Sequence, residues 1–206
     1  MRLRNPGRPR RRWMAVALVI MAVGGGLVAT RLGQPTEAVF TPVADTYVST
    51  AHPDANYGTE PILRADATPK IRSYLRFRLD GVSRHVLKAR LRLWSPTGDL
   101  AGYSVQPVSS RWGERNITSR SRPPADTPVA RSGPFGPGSW SSVDVTRLLD
   151  DPREISLVVT TRSRQTISFA SREGRNRPQL VIWTKPAPKA SRQHSGSCLA
   201  RYYRTS

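Results

Sequence analysis

Cysteine, histidine and lysine are scarce in this 206-residue chain. Cys198 is the single cysteine, so no internal disulfide can form and a thiolate-held metal is excluded. The three histidines, His52, His85 and His194, form no His-x-x-x-His pair. Neither a Gly-x-Ser-x-Gly elbow nor a phosphate-loop glycine pattern is present, so the familiar hydrolase, zincin and nucleotide-binding signatures are missing. A carboxylate pair assembled from distant residues would leave no such signature. Helix-turn-helix periodicity, zinc spacing and aromatic RNA-binding motifs are also missing, which argues against nucleic acid as the partner. Helical stripes are lacking too: no ten-residue stretch repeats apolar residues at the 3.6 period, apart from a turn's worth at Val145–Leu149.

What the chain has is arginine. Only four of its 33 basic residues are lysines, and the net charge is +19. Much of that charge sits at the ends. Residues 1–31 hold seven arginines and residues 185–206 five basic groups, both without an acid, while residues 40–184 hold 21 basic and 13 acidic groups. The central part is therefore moderately basic, a balance that suits an acidic polymer or surface.

One apolar run, Trp13 to Thr30, follows the start MRLRNPGRPRRR. As a helix its 18 residues reach roughly 27 Å, enough for a thin hydrocarbon core, and a basic flank stays on the cytoplasmic side. A retained anchor and a cleaved signal peptide both fit, and the Gly24-Gly25-Gly26 break keeps the second open. Either places the rest of the chain at the cell surface or outside the cell. The layout is a basic flank at 1–12, a hydrophobic helix at 13–30, a linker at 31–39, one domain at 40–184, and a polar Pro/Ser-rich tail at 185–206 expected to be disordered.

Within 40–184 the pattern is that of short strands divided by Pro/Gly turns. Strands are expected at 42–49, 61–65, 70–79, 87–95, 104–108, 140–145, 155–161, 166–170 and 179–184. About nine antiparallel strands point to an all-β, jelly-roll-like sandwich. Two strands alternate most clearly. Ile71, Ser73, Leu75, Phe77 and Leu79 share one face, opposite Arg72, Tyr74, Arg76 and Arg78; Leu87, Ala89, Leu91 and Leu93 share another, opposite Lys88, Arg90, Arg92 and Trp94. If these two strands are neighbours, as consecutive strands often are, their outward residues form one basic and aromatic plate.

Six ordered blocks resemble a known family: ADTYVSTAHPDANYGTEPILRADA from Ala44, RSYLRFRLDGV from Arg72, KARLRLW from Lys88, SSRWGERNIT from Ser109, WSSVDVT from Trp140 and ISFASREGRNRPQLVIWT from Ile167. Together they are similar to the DNRLRE-domain family, carbohydrate-binding module family 96, over about residues 42–184. The resemblance implies a β-sandwich without chemistry of its own, a class attached to polysaccharide-degrading enzymes or repeated in surface proteins, some members binding acidic glycans such as alginate.

The candidate glycan contacts are Arg72, Tyr74, Arg76, Arg90, Arg92 and Trp94, since arginine pairs with carboxylates and aromatic rings stack on sugars. A solvated sheet face rich in arginine by composition is the alternative. Asp45, Asp54 and Asn56 offer oxygen ligands for calcium, with Glu173 as a further one; an Asx-turn network and a polar clamp at Ser171-Arg172-Glu173 explain the same residues without metal. Gly58 is expected at positive φ, and Trp112 and Trp140 as core or loop anchors. The expected function is an exported, membrane-tethered, non-catalytic module for an extracellular acidic polysaccharide. A structural surface protein making wall or protein contacts is the alternative.

Overall fold

The computed structural model describes residues 34–82, 86–127, 129–149 and 153–185. The expected hydrophobic helix, its basic flank and the tail beyond residue 185 lie outside the described residues. Among the described residues no helix is long and apolar enough to cross a membrane.

Among the described residues eleven strands form two antiparallel sheets: β1 (Thr36–Phe40), β2 (Ala44–Ser49), β3 (Ile62–Ala67), β4 (Lys70–Arg78), β5 (Val86–Ser95), β6 (Ser104–Pro107), β7 (Ala130–Arg131), β8 (Ser139–Asp144), β9 (Glu154–Thr160), β10 (Ile167–Ala170) and β11 (Gln179–Thr184). One 3₁₀ turn at Thr146–Leu148 follows β8, within the expected Val145–Leu149 turn. The smaller sheet runs β1-β11-β5-β8, and the larger β10-β3-β4-β9-β6-β7 with β2 also paired to β4. All nine expected strands are present, with β1 and β7 added. β1 falls largely within the expected linker, because its pairing with β11 (Thr36↔Thr184 to Phe40↔Leu180) continues the small sheet up to its edge.

The sheets pack over a single main core, and period-two alternation explains who enters it. Leu75 and Phe77 of β4 meet Ala89, Leu91 and Leu93 of β5, with Leu157, Phe169, Leu180 and Ile182 around them. Most are wholly shielded from solvent. β4 and β5 are therefore not neighbours, as the sequence suggested, but face each other from opposite sheets. The joint basic plate does not exist. Its halves point in opposite directions.

Leu87, expected inward, is 45% exposed. The pairing of β5 with β11 slips between Lys88↔Trp183 and Val86↔Thr184, leaving Leu87 as the extra residue of a bulge. Leu91→Ala is expected to cost about 2–5 kcal/mol in chemical denaturation, and Leu87→Ala no more than about 0.5 kcal/mol. Equal losses would contradict this placement of the two side chains.

Candidate functional site

The outer face of the large sheet is covered over β4 and β9. Tyr74 and Val158, opposite each other in register, point outward there with Ala44 and Val48, and Val108, Trp112 and Ile117 close over them as a second apolar cluster. Trp112 meets the Tyr74 ring edge-on at 6.0 Å and donates its indole N–H to Ser156 Oγ at 3.3 Å. Arg76 Nη1 donates to the carbonyls of Ser110 and Trp112 at 3.1 and 3.0 Å, with its guanidinium 5.2 Å from the Trp112 ring. Tyr74 is thus fully buried, and its hydroxyl donates to the Pro123 carbonyl at 3.4 Å. Alternation alone placed Tyr74 and Arg76 on a solvated face; the covering loop puts Tyr74 in a core and gives Arg76 a fastening role. Trp112 is the expected anchor.

This loop is tied down by a polar clamp. Arg172 Nη1 donates to both Glu114 carboxylate oxygens at 3.0 Å, and its backbone N–H donates to Asp45 Oδ2 at 2.8 Å. The Asp45 N–H donates to Glu114 Oε1 at 2.8 Å, and Glu173 accepts from Ser171 Oγ at 2.9 Å. Asn56 adds a second tie, donating from Nδ2 to the carbonyls of Glu114 and Ile117 at 2.8 Å each, while its Oδ1 accepts from Gly58 N at 3.1 Å. Gly58 does not have positive φ as expected. Its small size is what matters, because a Cβ there would lie 2.1 Å from the Glu114 carbonyl oxygen.

Of the four residues expected to ligate calcium, Asp45 and Glu173 come together, joined by Glu114; their carboxylates lie within 4.8 Å of one another. Asp54 instead accepts from Arg120 Nε at 2.7 Å, and Asn56 serves the loop. Three carboxylates suit a cation in number, and Arg172 already places a guanidinium among them.

A groove of about 980 Å³ opens beside the covering loop. Lys70 and Arg72 come from the β3–β4 hairpin, Arg120 and Arg122 from the loop, and Arg162 and Arg164 from the turn after β9. Among the described residues Asp66 is the one acid lining it, and its oxygens accept from Thr68 N and the Thr166 hydroxyl. Arg122 Nη1 donates to the Ser119 carbonyl. Lys70, Arg162 and Arg164 make no ion pair among the described residues. Six cations around one groove, of which Arg120 alone is ion-paired among the described residues, make it attractive to a polyanion. Of these six only Arg72 was singled out from the sequence. The others were signalled by two Arg-Ser-Arg triplets, 120–122 and 162–164, far apart in the chain and brought together here.

On the opposite sheet Arg90 stands exposed, and Arg92 and Trp94 are half-buried. Trp140, expected as an anchor, pairs in register with Trp94 on this same outward face.

Burial is the main cause pushing the Asp45 carboxyl up to about 7, with Glu173 and Glu114 adding to it and the Arg172 N–H opposing. A carboxyl raised from 3.8 when folded favours the protonated fold. Its contribution is complete below the unfolded value and is lost as pH rises through about 7. The melting temperature is expected to fall by several degrees between pH 5 and pH 8, and Asp45→Asn to flatten that slope. An unchanged slope in the variant would take Asp45 out of the account.

No curated protein matches this sequence. The family model described as carbohydrate-binding module family 96 matches residues 36–184, starting where β1 starts and ending where β11 ends, and the chain belongs to that family.

Proposed function

We propose that the chain is an exported, membrane-tethered, non-catalytic module that binds an extracellular acidic polysaccharide in the groove between its two Arg-Ser-Arg triplets. The observation carrying this reading is the charge of that groove: among the described residues six cations and one acid line it, Arg120 already paired with Asp54 and Asp66 engaged by Thr68 and Thr166. Guanidinium groups pair with carboxylates in bidentate fashion, and a chain of uronic acids offers one carboxylate per sugar. The family supplies the coarse partner, carbohydrate.

Two features support a binding role without catalysis. Glycoside hydrolysis calls for two carboxyl groups facing the scissile bond, whereas among the described residues Asp66 is the one carboxylate lining the groove. The other carboxylates gathered by the fold, Asp45, Glu114 and Glu173, are committed to the clamp. Export and tethering rest on the apolar run at 13–30 behind its arginine-rich start. Among the described residues calcium has a place only at the clamp, in competition with Arg172; a rise in melting temperature on adding the metal to the parent but not to Glu173→Gln would support it there.

The test is retention of the full chain on immobilised polyuronate. Binding is expected to weaken as salt rises above about 0.1 M, where screening shortens to roughly 10 Å. Arg122→Ala with Arg162→Ala is expected to weaken it at least about tenfold, since hydrogen bonds to charged groups contribute about 1.5–3 kcal/mol each. Parent-like retention of that double variant would remove the groove from the reading.

A further inference from the structure

Three of the chain's five tryptophans stand on one solvent-facing surface, the outer face of the small sheet. Trp94 on β5 is directly opposite Trp140 on β8, and Trp183 on β11 is directly opposite Lys88. All three rings are half-buried, although indole gains more from burial than almost any side chain. Cations lie between them along β5, in the order Trp94, Arg92, Arg90 and Lys88. The Arg92 guanidinium lies 5.0 Å from the Trp140 ring and Lys88 Nζ 5.9 Å from the Trp183 ring, while Arg90 projects between them.

The two acids on this face are already engaged. Glu37 accepts the Trp183 indole N–H at 3.0 Å, and Asp144 accepts from Thr146 N and Oγ1 at 3.0 and 2.7 Å, bonds that hold its carboxyl below the ordinary range. Lys88, Arg90 and Arg92 make no ion pair among the described residues. The surface therefore combines flat apolar rings with an excess of positive charge, of which Lys88 and Arg90 also act on Asp144. Arg90 and Arg92 are two residues apart on one strand, roughly 6.8 Å, so both leave the same face, Arg90 exposed and Arg92 with one Nη1 bond already made to Gln179 Oε1 at 2.9 Å.

A uronic acid chain carries both complementary features: sugar rings with apolar C–H faces, and carboxylates along the edge. We propose that this face is a second binding surface for the acidic polysaccharide, so that one copy of the chain holds two polymer strands on opposite sides of the sandwich. This inference rests on the groove reading above. Its consequence differs, because a module with two such faces bridges polymers instead of only attaching to one.

Titration calorimetry of the full chain with a soluble hexauronate tests it. Two molecules bound per chain are expected. Trp94→Ala with Trp140→Ala should leave one, and so should Arg122→Ala with Arg162→Ala, each by weakening its own site at least tenfold. Arg90→Glu, at an exposed position, should also leave one and guards against loss through misfolding of the tryptophan variant. Tryptophan emission should still respond to the hexauronate in the groove variant. One molecule bound by the parent and none by the groove variant would overturn the second surface and leave the groove standing. Two molecules retained by both the tryptophan and Arg90 variants would overturn it as well. No binding by the parent would overturn the groove reading on which it rests.

Discussion

The stretch from Val108 to Ala125 lies across β4 and β9, and the rest of the structure is arranged around keeping it there. Trp112 and Ile117 shield Tyr74 and Val158, which would otherwise meet water on the outside of the large sheet. Each such side chain contributes roughly 1.5–3 kcal/mol when withdrawn from solvent. Apolar cover fixes the loop's position only loosely, because the hydrophobic effect has no direction. Directed bonds supply the rest: Arg172 to Glu114, Arg76 to the Ser110 and Trp112 carbonyls, and Asn56 to the Glu114 and Ile117 carbonyls. The same loop carries Arg120 and Arg122 to the groove. Fold and candidate site thus share one fastening.

Charge is distributed by the same logic. Basic residues that touch the loop are spent on carbonyls and carboxylates, as with Arg76 and Arg172. Lys70, Arg162 and Arg164 at the groove, and Lys88 and Arg90 on the small sheet's outer face, make no ion pair among the described residues. Family membership points to a carbohydrate partner; the unpaired cations mark the surfaces with the greatest attraction for anions.

The alternation of Leu75 and Phe77 with Arg76, and of Leu91 and Leu93 with Arg92, made the sandwich readable from sequence, since one buried face per strand leaves a period of two. β1 escaped because it lies at a sheet edge and is mostly exposed, and β7 because two residues carry no period. Assigning β4 and β5 to one sheet followed from their adjacency in sequence, and no local pattern corrects that assumption. Tyr74 was misplaced for a different reason: period two says which face a side chain takes, not whether a distant loop covers that face. Gly58 was read through its backbone freedom when the constraint was space beside Glu114. The clamp at Ser171-Arg172-Glu173 was legible as a clamp, but its main partner, Glu114, lies 58 residues away from Arg172.

The central claim is that the clamp shapes the groove from a distance, and Glu114→Ala tests it by sign. Glu114 does not line the groove, and removing it makes the protein more positive. Electrostatics alone would then strengthen polyuronate binding, while a released loop would weaken it by misplacing Arg120 and Arg122. Affinity of the full-length variant for soluble polyuronate is the measurement. The account expects several-fold weaker binding; equal or tighter binding would contradict it.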